Sequence, residues 1–556
     1  SGAPGINAGC LTLFGERLSR GAPAVADTPR RAAAPVPADG PAGADGPPAR
    51  PRSTRRGALP VHQEGNISLA LHAPTCEACW AWMAPRARRR SGEGASGIIS
   101  MRIGLAVAIL LGTAVFVVPP PEGLDAAAWR ALGLGSAMAA LWLTEAVPLA
   151  ATALLPLALF PLAGIRRMEA VAAAYAHPLI VLFLGGFLVA RAIERWGLHV
   201  ALAARLLRLF GRGPSAVVAG LMLATAFLSF WISNTASTMV MAPIAAAMAA
   251  TRPADERFAA AALLGVAFAA TIGGMGSLIG TPPNAILAAH LSDRYGRVIG
   301  FAEWAAIGIP VVLVMLPLAW AVLAKVFFRP GPGQLDLPAR EGGLEAGARR
   351  VAWIGALAAL GLLLRPLVEE QFPGAGVTDA GIAILAALLL FAIPSGSGGR
   401  LLDWETAKGL RWDVLILFGG GLALAGAIER TGLAAWLAAG IAGIEGLAEL
   451  WLILAFAGVI VLIGELASNT AMAAIFLPVA GATATGLGME AAPVMVPIAL
   501  AASVGFMLPV ATPPNAIVFA YPAVTRARML RAGVGLDAAG VLVAALVPWV
   551  LARHVL

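Results

Sequence analysis

The sequence predicts an all-α polytopic membrane protein, on the basis of its composition and the length of its apolar runs. Hydrophobic residues make up 59% of the 556 positions and charged residues 13%, and the mean hydropathy is +0.82. Soluble domains carry about 25% charged residues. From Met101 onward, about eleven segments approach the roughly 20 apolar residues that a spanning helix needs. These runs are continuous rather than alternating, which favours helices over barrel strands.

Residues 1–100 have a different composition. Stretches such as PVPADGPAGADGPPARPRSTRRG are rich in Pro, Ala, Gly and Arg, and such sequence cannot bury a hydrophobic core. We therefore expect a disordered tail. The sequence SMRIGLAVAILLG resembles a natural start at Met101, which favours the interpretation of the tail as an upstream extension that is not native.

The remaining chain contains an internal repeat. VLFLGGFLVARAIERWGL at 181–198 resembles LILFGGGLALAGAIERTGL at 415–433. Ser-Asn-Thr occurs at 233–235 and again at 468–470, and TPPNAI occurs at 281–286 and 512–517. Three landmarks in the same order predict two duplicated halves, and duplicated halves with interrupted helices are typical of secondary transporters.

Basic residues predict how the two halves are oriented. If the helix that begins at Met101 starts in the cytoplasm, the loops with most arginine and lysine also face the cytoplasm, as the positive-inside rule requires. The same assignment places the two AIER segments on opposite sides, so the repeats are predicted to be inverted. We expect a first repeat at 101–328, a cytoplasmic linker at 329–348 and a second repeat at 349–556.

The Ser-Asn-Thr trios interrupt apolar sequence, where an unpaired amide costs several kcal/mol. Each trio is flanked by segments near or below the length of one span, which predicts a re-entrant helical hairpin with the polar trio at its tip. The TPPN stretches predict breaks in two further helices, because paired prolines lack backbone donors.

Tips and breaks together would present carbonyls, amides, hydroxyls and free N–H groups. Carbonyl and amide oxygens suit a hard cation, whereas hydroxyls and helix N-termini suit an anion. A single trio would more often be an interhelical hydrogen-bonding element, but its duplication beside a duplicated break favours a binding site. Glu145 and Glu465 are further candidates as carboxylates in apolar sequence. For Glu465, a structural role and a site-supporting role both remain open.

On these motifs the chain resembles the divalent anion:sodium symporter family, the INDY-type dicarboxylate and citrate transporters. The resemblance covers 101–556 and implies a homodimer with an elevator-type motion of a transport domain against a scaffold domain. It implies two sodium sites, which comprise Ser229, Ser233, Asn234 and Gly280 in the first half, and Gly464, Ala467, Asn469 and Ala511 in the second. It also implies a set of substrate-binding residues: Asn234, Thr235, Thr281, Ser468, Asn469, Thr470, Thr512 and Pro513.

One departure concerns Gly464, where members of this family usually have threonine. A site that uses the backbone carbonyl would be unaffected, whereas a site that uses a hydroxyl would be weakened. The resemblance implies sodium-coupled transport of a small dianion, such as succinate or citrate, across the cell (inner) membrane. A sodium-independent dicarboxylate exchanger and a sulfate or inorganic-anion carrier remain alternatives. An enzyme is not expected, since no acid–base or nucleophile constellation is found, and no nucleic-acid partner is expected.

Overall fold

The computed structural model describes residues 93–335, 343–396, 398–441 and 448–556. The described chain is almost entirely helical, and its only β-type pairing is an isolated bridge between Pro394 and Arg400. The helices of the first half are α1 Glu93–Val117, α2 Ala126–Thr144, α3 Leu149–Thr152, α4 Leu155–Leu162, α5 Met168–Tyr175, α6 Pro178–Arg195, α7 Leu198–Leu207, α8 Pro214–Trp231, α9 Asn234–Ala250, α10 Glu256–Met275, α11 Pro282–Tyr295 and α12 Phe301–Ala321. The helices of the second half are α13 Ala346–Gln371, α14 Asp379–Ala392, α15 Trp404–Lys408, α16 Trp412–Arg430, α17 Leu433–Ile441, α18 Glu449–Gly464, α19 Asn469–Gly486, α20 Ala491–Ala501, α21 Pro513–Phe519 and α22 Arg526–Val555.

Eight helical stretches of the described chain are long and apolar enough to cross a membrane. Shorter apolar helices accompany them, including Asp379–Ala392 and Glu449–Gly464. The protein is therefore a multi-pass membrane protein, and the all-α fold class is confirmed. The expected number of about eleven spans stays a prediction, because it includes several of these shorter helices.

The first hairpin is formed by α8 and α9, which meet at the first Ser-Asn-Thr trio. Ser233 caps α9, and its hydroxyl accepts the backbone N–H of Ala236 at 3.2 Å. The second trio lies at the same kind of junction, because α18 ends at Gly464 and α19 begins at Asn469. Serine favours the cap position since its short side chain satisfies an otherwise unpaired amide.

The helix breaks lie just before the two TPPN motifs, at 276–281 and 502–512. The expectation that the prolines themselves are unwound is wrong in this detail. Thr281 and Thr512 cap the next helices, and the proline pairs form the first turns of α11 and α21. A first turn needs no N–H donor, so proline is well suited to begin a helix.

The two halves pack against each other through these elements. Helix α9 contacts α21, and α19 contacts α11, so each hairpin helix lies beside the post-break helix of the other half. Glycines permit close helix packing elsewhere: a side chain at Gly185 would meet the backbone of Ala383 at 2.7 Å, and one at Gly420 would collide with Ala153. Gly185 and Gly420 therefore serve close helix packing.

Helix α11 is fixed at its C-terminal end by ion pairs. Asp293 lies 3.2 Å from His177 at the start of α6. Glu429, at the end of α16 with a side chain only 6% exposed, pairs with Arg294 and lies 3.2 Å from His290. The helix that begins at the first break therefore ends in contacts with α6 and α16.

Only part of the expected tail and part of the expected linker lie within the described residues. Helix α1 begins at Glu93, inside the segment expected to be tail, whereas 1–92 lie outside the described residues. Residues 329–335 of the expected linker lie against the α9–α10 turn: the backbone N–H of Gly331 donates to Asp255 at 3.0 Å, and Arg252 donates to the carbonyl of Pro332 at 2.8 Å. Helix α13 begins at Ala346.

Candidate functional site

The tip of the first hairpin and the first break bring several oxygen atoms together. The fully buried Ser229 hydroxyl donates to the carbonyl of Ala270 at 2.6 Å. One terminal atom of the Asn234 amide lies 2.6 Å from the Ser229 hydroxyl, 3.1 Å from the Ala270 carbonyl and 3.2 Å from the Gly280 carbonyl. Three of the four residues expected at the first sodium site (Ser229, Asn234 and Gly280) therefore meet at one point.

The orientation of the Asn234 amide decides what this cluster does. If the atom that faces the cluster is nitrogen, it donates hydrogen bonds to all three oxygens. If it is oxygen, four oxygen atoms converge, and a hard cation among them would replace the missing donors. The fourth expected residue, Ser233, precedes Asn234 in the chain. Its hydroxyl accepts the N–H of Ala236 at the cap of α9.

Close backbone approach shapes the first break. A side chain at Gly280 would collide with the carbonyl of Gly274, and a side chain at Gly274 would collide with the Asn234 amide. The buried side chain of Asn284 holds this loop from inside, because its amide nitrogen donates to the Ser277 carbonyl at 2.8 Å and approaches the Gly274 carbonyl at 3.3 Å. Buried carbonyls of an unwound segment need such partners.

The second break repeats this arrangement. The buried amide of Asn515 donates to the Leu508 carbonyl at 3.0 Å and to the Gly505 carbonyl at 3.1 Å. The N–H of Ala511 donates to the Leu508 carbonyl at 3.2 Å, and the N–H of Gly280 donates in the same way to the Ser277 carbonyl at 3.3 Å. The asparagine of each TPPN motif thus positions its break.

The residues expected at the second sodium site are less closely connected. Ala467 donates its N–H to the Gly464 carbonyl at 3.3 Å. The side-chain oxygen of Asn469 is buried and has no hydrogen-bond partner among the described residues. A side chain at Gly464 would meet only Met472, at 4.0 Å. The tip therefore offers an unpaired amide oxygen, and a Cβ atom at position 464 would meet no close contact.

Two buried carboxylates support the second break. Glu465 accepts the consecutive N–H groups of Met507 at 3.0 Å and Leu508 at 2.7 Å, and Asp537 accepts the N–H of Phe506 at 3.0 Å. Glu465 is 2% exposed and Asp537 is 4% exposed. Glu465 therefore holds the unwound segment in place.

Within the described parts of the chain, no carboxylate accepts a backbone N–H group of the first break. There, a side chain at Gly276 would meet the apolar side chains of Phe230 and Val312 at 3.0 and 3.1 Å. The two halves share their helix plan but differ in how each break is supported.

Hydroxyl groups of the two halves meet between the breaks. The Thr281 hydroxyl lies 3.5 Å from the hydroxyl of Ser503, which belongs to the second break. The expected substrate-binding residues differ in exposure. The buried residues are Thr281, Thr470 and Thr512; the half-buried ones are Asn234, Thr235, Ser468 and Asn469; and Pro513 is exposed.

Several residues at this site escaped sequence reasoning. The carbonyl of Ala270 gives no sequence signal, because any residue supplies one. Asn284 and Asn515 belong to motifs that the sequence shows twice, and the duplication of the asparagine was a signal for them. Glu145, by contrast, is exposed at the C-terminal cap of α2, outside both hairpins, with a left-handed backbone (φ 48°).

Comparisons with known proteins agree with this architecture. Residues 139–494 match the family model described as citrate transporter. The sodium-dependent dicarboxylate transporter SdcS of Staphylococcus saprophyticus is 37% identical over 483 residues, which cover 82% of this chain and 93% of that protein. SdcS of Staphylococcus aureus strain MW2 is 37% identical over 442 residues, which cover 75% of this chain and 85% of that protein.

Two solved structures share the fold at low identity. The Alcanivorax borkumensis YdaH transporter aligns with a TM-score of 0.50 at 15% identity over 68% of this chain and 85% of that chain. Neisseria gonorrhoeae MtrF, from a class of antimetabolite efflux pumps, aligns with a TM-score of 0.51 at 15% identity. The alignment covers 81% of this chain and 94% of that chain. With the duplicated tips and breaks and the extended similarity to SdcS, the chain belongs to the divalent anion:sodium symporter family.

Proposed function

We propose that this protein is a secondary transporter that moves a C4-dicarboxylate such as succinate together with sodium across the cell membrane. The names of its 37% identical relatives, sodium-dependent dicarboxylate transporters, support the substrate class and the ion. The observation that carries the proposal is the group of oxygens around the Asn234 amide, contributed by Ser229, Ala270 and Gly280.

Sodium would occupy two sites, one at each hairpin tip. In the first, the Asn234 amide would turn its oxygen toward the ion and join Ser229, Ser233 and the Gly280 carbonyl. In the second, the buried and unpartnered oxygen of Asn469 would contribute, together with the Gly464, Ala467 and Ala511 positions. Sodium is a hard cation, and neutral oxygens of this kind are the ligands such ions prefer.

The charge of the substrate favours a mobile cation at the site. No arginine or lysine lies between Arg430 and Arg526, or between Arg212 and Arg252 around the first tip. Two carboxylates left unpaired in a site shielded from water would cost several kcal/mol each. The N-termini of α9, α11 and α19 offer about half a charge each, so bound sodium would supply the rest.

The dicarboxylate would lie between the two tips. Hydroxyls, amides and backbone groups would orient it, and the proposed set is Asn234, Thr235, Thr281, Ser468, Asn469, Thr470, Thr512 and Pro513. The 3.5 Å contact of Thr281 with Ser503 across the two halves supports a site shared by both. Movement of the site across the membrane would follow the elevator-type motion, in a homodimer.

The test measures succinate affinity of the purified protein at constant ionic strength while choline replaces sodium. Sodium coupling requires sodium to tighten succinate binding, and succinate to tighten sodium binding by the same factor. An unchanged affinity would overturn the proposal and favour a sodium-independent exchanger. Citrate and sulfate in the same assay distinguish a citrate or inorganic-anion carrier from a C4-dicarboxylate transporter.

A further inference from the structure

A basic pocket and an apolar groove adjoin on the face of the molecule where α9 ends and α10 and α22 begin. The pocket, of about 820 Å³, is lined by Arg252, Arg257, Arg329 and Arg528 together with two acidic residues. The groove, of about 720 Å³, runs along α8 and α12. Both are lined by Gly331, so the two cavities lie side by side and share a wall at that residue.

The pocket carries more positive than negative charge. Its two acids are already paired: Asp255 with Arg252 at 3.4 Å, and Glu256 with Arg528 at 2.7 Å. Arg257 and Arg329 are exposed and have no carboxylate partner within the described part of the chain. An anionic group that enters the pocket would therefore meet two guanidinium groups not committed to an ion pair, and arginine binds phosphate through paired hydrogen bonds.

The groove is apolar along its length and polar at one end. Leu313, Leu316 and Trp320 line it from one face of α12, because residues three and four positions apart project from the same side of a helix. The ammonium group of Lys325 lies 5.3 Å from the ring centre of Trp320. Leu313 is 67% exposed, as is expected of an apolar residue that faces lipid on a membrane-spanning helix.

The wall between the two cavities is held firmly. The Trp320 indole donates to the Ser215 carbonyl at 2.9 Å, which joins α12 to the start of α8. The N–H of Leu335 donates to the Arg212 carbonyl at 2.9 Å, and Gly331 is bonded to Asp255 at 3.0 Å. The chain between Lys325 and Leu335 thus forms a fixed border with a basic side and an apolar side.

We propose that the basic pocket and the apolar groove together bind an anionic phospholipid. The phosphate headgroup would lie among Arg257, Arg329 and Lys325, and an acyl chain would lie in the groove along α12. Charge complementarity selects this occupant, since an apolar chain alone would not need the arginines and a free anion would not need the groove. Basic pockets between membrane helices bind anionic headgroups by the same chemistry. The residues fall on the side that the charge distribution places in the cytoplasm, where anionic lipids are enriched.

The test uses the full-length protein, purified in detergent and stripped of lipid, with native mass spectrometry as the measurement. Three probes are compared: dioleoyl phosphatidylglycerol, dioleoyl phosphatidylcholine and glycerol 3-phosphate. We expect phosphatidylglycerol to bind at least about fivefold more tightly than phosphatidylcholine, since each basic residue near such a headgroup contributes about this factor. Glycerol 3-phosphate, which has no acyl chain, is expected to compete poorly.

Substitutions test the basic pocket and the apolar groove separately. Arg257→Gln and Arg329→Gln should each weaken phosphatidylglycerol binding about fivefold and weaken phosphatidylcholine less, because the choline cation of that lipid offsets the charge of its phosphate. Ala219→Leu, which fills the groove, should weaken both lipids. Arg531→Gln is the matched control, because Arg531 is exposed on α22 and lines neither cavity.

Three results would overturn the proposal. Equal binding of both lipids would show that the site does not recognise the anionic headgroup. Full displacement of phosphatidylglycerol by glycerol 3-phosphate, with no effect of Ala219→Leu, would identify a site for free anions only. A change of oligomeric mass in Arg257→Gln without a change in lipid binding would show that a second copy of the chain covers this face.

Discussion

The hydroxyl of Thr281 lies 3.5 Å from the hydroxyl of Ser503, although the two residues belong to different halves of the chain and to different helix breaks. Helix α11, which begins just after Thr281, packs against α20, which ends just before Ser503. A substitution in one break therefore lies close to the other break.

Asn234→Ala and Asn469→Ala are expected to lower sodium-driven succinate uptake about tenfold to a hundredfold, the loss typical when a charged partner loses a hydrogen-bonding group. Uptake into proteoliposomes and sodium affinity of the purified variants are the measurements. Thr225→Ala and Thr483→Ala are matched controls on α8 and α19, since their hydroxyls bond only within their own helices. If uptake and sodium affinity fell equally in the control variants, the asparagines would have a packing role only.

Gly280→Ala is expected to weaken sodium binding and to lower stability by about 1–3 kcal/mol, because the added methyl group collides with the Gly274 carbonyl and forces the break apart. Sodium titration and the thermal unfolding midpoint measure the two effects. Gly458→Ala on α18 is the control, as nothing lies within 4 Å of the added atom. Wild-type sodium affinity in Gly280→Ala would show that this carbonyl is not part of a cation site.

Glu465→Ala is expected to lower both stability and transport, because it leaves the buried N–H groups of Met507 and Leu508 without an acceptor. Each unpaired group costs about 1–3 kcal/mol. Glu465→Gln keeps one acceptor oxygen and should retain part of both properties. Glu490→Ala, an exposed acid at the cap of α20, should change neither. An unfolding midpoint unchanged in Glu465→Ala would contradict the role assigned to this carboxylate.

Gly464→Thr is expected to fold, since the added Cβ atom would meet Met472 at 4.0 Å, an ordinary van der Waals distance. We expect it to tighten sodium binding about tenfold, the effect of one added hydroxyl ligand to a charged group. Gly481→Thr is the steric control, because its side chain would meet Met495 and Tyr295 at 2.7 Å and should destabilise the protein. Unchanged sodium affinity in Gly464→Thr would indicate that this position acts through its carbonyl.

The sequence predicted the membrane fold, the positions of both hairpin tips and the presence of both breaks. These features depend on composition and on side chains with strong local effects: Ser233 at a cap, and the prolines that follow Thr281 and Thr512. The structure moved each break to the residues before its prolines, because a proline is tolerated in the first helical turn.

What sequence could not supply was the identity of partners brought together by folding. The carbonyl of Ala270 joins the first cluster through helix packing alone. The sequence leaves two roles open for Glu465, and its two backbone donors, Met507 and Leu508, assign it a structural one. Glu145 has the same chemistry and a similar apolar context, yet it is exposed, because its position at the end of α2 turns it away from the helix bundle.

Helix α11 has 14 residues and so a length of about 21 Å. Its first turn lies at the candidate site, whereas its last turn is tied to α6 by Asp293 and to α16 by Arg294. Helix α11 can pivot about its C-terminal end with these two contacts kept. Sliding along its own axis would separate the two pairs. An axial displacement of Thr281 would separate Asp293 from His177 and Arg294 from Glu429 unless α6 and α16 moved with it, so movement at the start of this helix is coupled to the ion pairs at its end.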